Sequence, residues 1–316
     1  MIFESCHFEP RHFPLAVAVS GGADSMALLL LAHDFAKAQK LKLIALTVDH
    51  GIRKESASEA AQVADWCALL GISHILLHAK DASLRRHGKQ EQAREARYQL
   101  MANWCQQNGY QTLATAHHRG DQAETLFFRL GRGSTLLGLS CIACESRRGN
   151  ITIIRPLLAY PKSALTSLLT SRGQPWIEDP SNLNPRYTRA RLRSQLAMSH
   201  NPQDIEVRAA ALADFFARMR RYVEQQVASA MEQSIVFERD NAILHLPTFT
   251  ALPTETARLV LSATITRLSG KTHPPRTIQL ERLASMLQSG HFSPSELAGL
   301  RFVTHSQHNI KIIGKT

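Results

Sequence analysis

The sequence predicts an α/β protein: a parallel-sheet domain with helices on both faces, then a long connector helix and a small α+β domain. Three observations carry that prediction. Short apolar runs alternate with helix-patterned stretches through the first half of the chain, a glycine pair closes the first run, and the pattern changes after Arg193. Alternation of this kind argues for βαβ units, whose crossover helices cover both faces of a parallel sheet.

Leu15-Ala16-Val17-Ala18-Val19 reads as a buried strand and Met26 to Ala32 as the apolar core of a helix, with a glycine turn between them. Residues 43–48, 73–77, 112–115 and 151–154 are the next expected strands. Residues 56–70, 90–108, 121–130 and 162–172 carry helical spacing between and after them. Asn201-Pro202 breaks the chain, and residues 204–233 read as one amphipathic helix. A hairpin is expected from 235–238 and 242–246 about Asp240-Asn241, then helices near 255–268 and 276–288, then a strand pair around Phe302 and Ile310. The expected division is 1–200 for the sheet domain, 201–235 for the connector and 236–316 for the small domain.

In an open parallel sheet, ligands sit at the carboxyl ends of the strands. The residues to watch are therefore Ser20 to Ser25, Asp49-His50-Gly51 and Ala116-His117-His118. Ser20-Gly21-Gly22-Ala23-Asp24-Ser25 is the most informative of these. Adjacent glycines let the backbone adopt positive φ and approach an anion closely, while the following helix start aims N–H groups into the concavity. The segment is either a phosphate cradle or an ordinary Gly-Gly turn. It has neither the Gly-Lys-[Ser/Thr] ending of the kinase-type loop nor the Gly-x-Gly-x-x-Gly dinucleotide pattern. It resembles the signature of the PP-loop ATP pyrophosphatases, an adenine nucleotide α-hydrolase-like fold whose members cleave ATP between the α and β phosphates. An aspartate in a phosphate cradle calls for a cation, so Asp24 implies Mg²⁺.

Composition fits that direction. The chain has 316 residues, 44% of them hydrophobic, with 37 Lys and Arg against 26 Asp and Glu for a net charge of +11. Such an excess points to a polyanionic partner without naming it. Five scattered cysteines argue for a reducing cytoplasm and against a disulfide framework. The first ten residues hold no apolar leader core, and the run around Leu28 to Leu31 is too short to span a bilayer.

Asp121 and Glu124 lie three apart at an expected helix start, so both carboxylates share one face. They could bind a metal or hold an ammonium group, but taken alone the pair reads first as helix capping, since acidic residues suit a first turn. Arg186, Arg189, Arg191 and Arg193 crowd near Tyr187, either as an RNA-contact strip or as a solvated basic helix end. Cys141-Ile-Ala-Cys144 is a lone pair set among Leu137, Leu139 and Ile142, which reads as a packed turn.

Taken in order, several segments resemble the bacterial tRNA(Ile)-lysidine synthetases. They are the Ser20 loop, Thr47-Val48-Asp49-His50-Gly51-Ile52-Arg53, Gln92 to Tyr98, Ala116 to Thr125, Arg132-Gly133-Ser134, Arg155-Pro156-Leu157-Leu158, Glu178 to Asn182 and Arg186 to Arg193. The similarity covers about residues 17–193, and the length suits the shorter members. One departure is Gly120, where the family often carries an acidic residue before Asp121.

The resemblance implies adenylation of the wobble cytidine of a CAU-anticodon isoleucine tRNA by ATP, then displacement of AMP by free lysine. It implies an ATP site of Ser20, Gly21, Gly22, Ala23, Asp24, Ser25, Asp49, Arg97 and His117. Asp24 would hold Mg²⁺, and Asp121 would hold the lysine ammonium and help remove its proton, with Glu124 supporting it or ligating the metal. Arg186, Arg189, Arg191 and Arg193 would contact tRNA. A monomer or homodimer in the cytoplasm, with no membrane partner, is expected. The competing readings are a PP-loop tRNA thiolase, which would need Cys141 and Cys144, and a non-catalytic RNA-binding protein. Amidotransferase-type relatives leave the arginine strip unexplained.

Overall fold

The computed structural model of the chain describes residues 8–49, 56–78, 90–178, 188–271, 274–290 and 292–314. The expected segments His50-Gly51-Ile52-Arg53, Asp179 to Asn182 and Arg186-Tyr187 lie outside the described residues. Contacts divide the chain into two compact units between Ala217 and Arg218.

The first unit is built on a six-stranded sheet ordered β3-β2-β1-β4-β6-β5. Its strands are β1 (Leu15–Ala18), β2 (Leu43–Asp49), β3 (Ser73–His78), β4 (Thr112–Ala114), β5 (Glu145–Arg148) and β6 (Ile151–Ile154). β1 to β4 and β6 are parallel; Leu15 pairs with Leu43 on one side and with Thr112 on the other. β5 pairs antiparallel with β6 at the edge, a strand that the sequence pattern did not reveal. Its residues Glu145-Ser146-Arg147-Arg148 are polar and half-exposed, so neither alternation nor an apolar run marks them.

The two faces of the sheet are sorted by alternate residues. Leu15, Val17 and Val19 point to one side and pack with Met26, Leu29, Val63, Trp66, Leu165 and Leu169. Ala16, Ile44, Leu46, Leu113 and Ile153 point to the other and pack with Tyr98, Met101 and Cys105. The helices Ala23–Gln39, Ser56–Leu69 and Lys162–Ser171 thus cover one face, and Gln90–Gln107 covers the other. The chain steps outward from β1 through β2 to β3, then returns past β1 to β4. That reversal opens a crevice between the carboxyl ends of β1 and β4, the place where such sheets bind ligands.

The expected helix at 204–233 runs Pro202–Ser234, and the division between units falls inside it. Ala209 and Ala213 pack with Ala123 and Leu126 in the first unit, whereas Ala230 belongs to the core of the second. The second unit holds a five-stranded antiparallel sheet, ordered β7 (Ile235–Glu238), β8 (Asn241–His245), β11 (Asn309–Ile313), β10 (Leu300–Ser306) and β9 (Ser295–Leu297). Its helices Thr254–Ser269 and Thr277–Gln288 bury Leu261, Ile265, Leu283 and Leu287 against Leu244, Phe302 and Ile312. Among the described residues no helix is long and apolar enough to cross a membrane.

Candidate active site

Ser20 to Ser25 bridge β1 and the helix Ala23–Gln39, for which Gly22 is the N-cap. Gly21 has φ +84°, a conformation open to glycine and strained for other residues. A Cβ there would stand 2.6 Å from Ile177 Cδ1 and 3.0 Å from Val63 Cγ2, so packing forbids it as well. Ile177 N–H donates to Gly21 O at 2.9 Å, which ties the loop to the segment after the helix Lys162–Ser171. Ser25 Oγ closes the turn from inside: it accepts from Ser20 N–H (3.2 Å) and donates to Gly22 O (2.9 Å). Ser25 therefore holds the loop's shape, while Ser20 Oγ lies 3.3 Å from Ser25 Oγ at the rim.

Asp24, on the first turn, carries the clearest mark of a missing cation. Its Oδ1 is buried and accepts no hydrogen bond. Such an orphaned carboxylate oxygen is costly unless a ligand completes it. Among the described residues there is no cluster of three or more acidic, histidine or cysteine side chains suited to grip a metal. Mg²⁺ does not need one, because it keeps waters and binds through one or two carboxylates plus substrate phosphates. The donor set at Asp24 fits that ion.

His118 joins Asp24 to Asp121. It is the buried N-cap of the helix Arg119–Gly131, with Nδ1 accepting Gly120 N–H at 3.0 Å and Asp121 Oδ2 accepting His118 N–H at 2.9 Å. Because Nδ1 is an acceptor, the ring proton sits on Nε2. Nε2 faces Asp24 Oδ2 at 3.9 Å and Asp121 Oδ2 at 3.8 Å. Burial alone would raise the Asp121 pKa, but His118, His117, the backbone N–H and Arg193 outweigh it and hold the carboxyl below its ordinary range. Asp121 is thus a strong partner for a cation and a weak acceptor of a proton. Sequence reasoning passed over His118 in favour of His117; its signal was its place three residues before Asp121, the spacing of a reciprocal cap.

Gly120 is explained by the same cap. A Cβ at residue 120 would meet His118 Cε1 at 2.8 Å and Nδ1 at 3.1 Å, and Glu206 Oε1 lies 3.4 Å from the same point. A side chain at 120 would push the ring aside, and the nearby carboxylate comes instead from the helix Pro202–Ser234.

Glu124 is buried, and both its oxygens are taken by Arg193: Nε to Oε1 at 2.5 Å and Nη2 to Oε2 at 3.1 Å. A metal at Glu124 would have to displace that guanidinium. Arg193 is thus bonded to Glu124 while its side chain stays 44% exposed. Arg191 is exposed on the same helix, Thr188–Ala197, which also contains Arg189; Arg186 lies outside the described residues. Gln122, which the sequence did not flag, donates to Ile142 O (2.7 Å) and accepts from Ile142 N–H (2.9 Å), fixing the turn after the helix.

His117 takes its hydrogen bonds from other residues. Arg94 Nη2 donates to its Nε2 at 2.7 Å, and Nδ1 lies 3.1 Å from Thr115 Oγ1. Burial chiefly, with Arg94, Arg155 and Arg97 adding to it against Asp121, drops its pKa to about 3. Arg94 and Arg97 lie over the Tyr98 ring at 5.5 and 5.9 Å, and burial lowers the pKa of Arg97 and of Arg155. Arg97 thus supplies positive charge beside a neutral His117. Asp49 stands at the end of β2, 3.9 Å from His78 Nδ1. Cys141 is buried, its thiol donating to Leu139 O at 3.0 Å and pushed by burial up to about 11; Cys144 is exposed.

The PP-loop domain family matches residues 4–200, so the chain carries a PP-loop, ATP-binding domain. It is 39% identical over 287 residues to a tRNA(Ile)-lysidine synthase from Ruegeria pomeroyi, covering 90% of this chain and 67% of that one. To the enzymes of the same name from Hyphomonas neptunium and Zymomonas mobilis it is 35% identical, covering 93% and 89% of this chain and 80% and 83% of theirs. The chain belongs to the tRNA(Ile)-lysidine synthase family, a family of PP-loop enzymes. Among solved structures it is similar to a U34-tRNA thiolase from Methanococcus maripaludis, with TM-score 0.54 and 17% identity over 66% of this chain and 71% of that one. At that identity the likeness is one of fold.

Two outcomes test this geometry. A double-mutant cycle of Glu124→Gln and Arg193→Gln, followed by chemical denaturation, should give a coupling of about 1–3 kcal/mol, whereas additive effects would mean the pair is incidental. The His117 pKa falls from 6.5 to about 3 on folding. Its neutral form therefore contributes stability that is complete above pH 6.5 and lost as pH falls toward 3. His117→Gln should flatten stability across that window, and the wild-type ring should show no NMR titration step near 6.5.

Proposed function

We propose that the chain joins lysine to C2 of the wobble cytidine of a CAU-anticodon isoleucine tRNA, through an adenylated tRNA, releasing pyrophosphate and AMP. The observation that carries this reading is the shared placement of Asp24 and Asp121 about one histidine ring, at 3.9 and 3.8 Å. One carboxylate belongs to a phosphate loop, and the other is held ionised at the mouth of the same crevice. An ATP-splitting step and an amine-consuming step need those two groups side by side.

In the first step the loop amides and the start of the helix Ala23–Gln39 stabilise the charge that develops on departing pyrophosphate. Asp24 would hold Mg²⁺, which when bound neutralises phosphate charge. In the second step Asp121 binds the side-chain ammonium of lysine and orients it. Making the free amine at neutral pH costs about 4–5 kcal/mol, given an amine pKa of about 10.4. Asp121, held below the ordinary carboxylate range, and His118, already protonated at Nε2, are poor acceptors for that proton. We infer that the amine enters as the free base drawn from solvent at that cost. The second proton, lost from nitrogen as the C–N bond forms and the C2–O bond breaks, goes to the departing phosphate of AMP.

A thiolase reading would need a nucleophilic sulfur. The Cys141 thiol is buried, bonded to a carbonyl and raised to about 11, the opposite of an activated cysteine.

The test is pyrophosphate release from ATP and Mg²⁺ in the presence of CAU-anticodon isoleucine tRNA, with and without lysine, followed by mass spectrometry of the digested RNA. A cytidine heavier by lysine less water, only when lysine is supplied, is the expected result. A sulfur-sized gain with a sulfur donor would instead support the thiolase. Asp24→Asn should abolish pyrophosphate release. Asp121→Asn should raise the KM for lysine by about 10- to 100-fold, the worth of one charged hydrogen bond, and let adenylated tRNA accumulate. Equal loss of both steps in Asp121→Asn would remove the division of labour proposed for the two aspartates.

A further inference from the structure

The Ser20 loop has no lysine, yet the bond it would help to break leaves a highly charged pyrophosphate. Kinase-type loops meet that charge with a lysine reaching the β and γ phosphates. Here a lysine arrives from elsewhere in the chain. Lys162 opens the helix Lys162–Ser171, and its Nζ stands 3.9 Å from Asp24 Oδ2. Among the described residues it is the only lysine or arginine within ion-pair distance of that carboxylate.

Two contacts fix the position. Leu165 and Leu169, on the same helix, are fully buried against Met26, Leu29 and Leu30 of the helix Ala23–Gln39, so the two helices share one core. Tyr160 O accepts Arg119 N–H at 2.9 Å, which ties the turn before Lys162 to the start of the helix that bears Asp121. The backbone of Lys162 is thus anchored on both sides while its side chain stays 54% exposed.

The contact with Asp24 is loose. At 3.9 Å it is no hydrogen bond, and Asp24 Oδ1 remains without a partner. An exposed pair of that kind holds its lysine weakly. A phosphate oxygen offers a stronger, charge-assisted bond. Two other basic groups near the crevice are engaged, Arg193 by Glu124 and Arg94 by His117, and Arg97 lies over the Tyr98 ring.

We infer that Lys162 is a phosphate-binding residue of the ATP site, holding the β and γ phosphates and then the leaving pyrophosphate. Its loose contact with Asp24 is released when nucleotide and cation enter. The inference rests on the ATP-splitting reading of the Ser20 loop.

The test uses the full chain, calorimetric binding of inorganic pyrophosphate with Mg²⁺, and the KM for ATP in ATP–pyrophosphate exchange with the tRNA. Lys162→Ala should weaken pyrophosphate binding and raise the ATP KM about 10- to 100-fold, leaving the lysine KM unchanged. Lys162→Arg should recover most of the affinity. Thermal melting separates a folding role: a lower midpoint with unchanged pyrophosphate affinity would make Lys162 a structural partner of Asp24 and overturn the inference. Unchanged affinity and unchanged melting would overturn it too. A wild-type chain that neither binds pyrophosphate nor releases it from ATP would sink the ATP-splitting reading and this inference with it.

Discussion

The reversal of strand order between β1 and β4 is the constraint on which the site depends. β1 pairs with β2 on one side and β4 on the other, and the connections leave those strands in opposite directions. Among the described residues no crossover helix fills the space at their carboxyl ends. The Ser20 loop and the His117-His118 turn are the two segments that emerge there, so a phosphate cradle and an ionised acid meet although almost a hundred residues separate Asp24 from Asp121. The sheet's register, set by ordinary β-strand pairing, does the aligning.

His118 turns that proximity into chemistry. One capping arrangement satisfies Gly120 N–H, His118 N–H and the helix start at once, and in doing so it fixes which ring nitrogen carries the proton. The N–H then lies between two carboxylates that would otherwise repel. Gly120 is the cost of this arrangement, since a Cβ would collide with the ring. A glycine near a helix start loses about 1 kcal/mol of helix propensity, small beside the loss of a buried cap.

Much of this was legible in the sequence because it depends on short-range rules. The strand runs, the glycine turn and the Asp121 helix follow from periodicity and from residue types with few conformational options. What escaped was set by long-range contacts. The edge strand β5 is polar and takes its form from pairing with β6. The Arg193–Glu124 pair escaped because nothing local marks which arginine of a basic run meets a carboxylate 69 residues away. His117 and His118 are neighbours with different partners, and the cap at Gly120 sets the His118 ring within 4 Å of both aspartates.

The same distinction bears on the net charge of +11. Several arginines are engaged by partners within the first unit. Arg193 is committed to Glu124, Arg129 binds Gly138 O and Cys141 O, and Arg155 binds Ala143 O and Ser146 Oγ. Burial shields Arg97 from solvent, its pKa lowered in consequence. These groups shape the crevice and its electrostatics at short range, where salt screens little. The exposed basic groups, Arg191 and part of Arg193 among them, give an outer field that is spread out and sensitive to salt. Part of the basic composition of this chain is therefore engaged in short-range contacts within the first unit, and the net charge alone overstates the outer field.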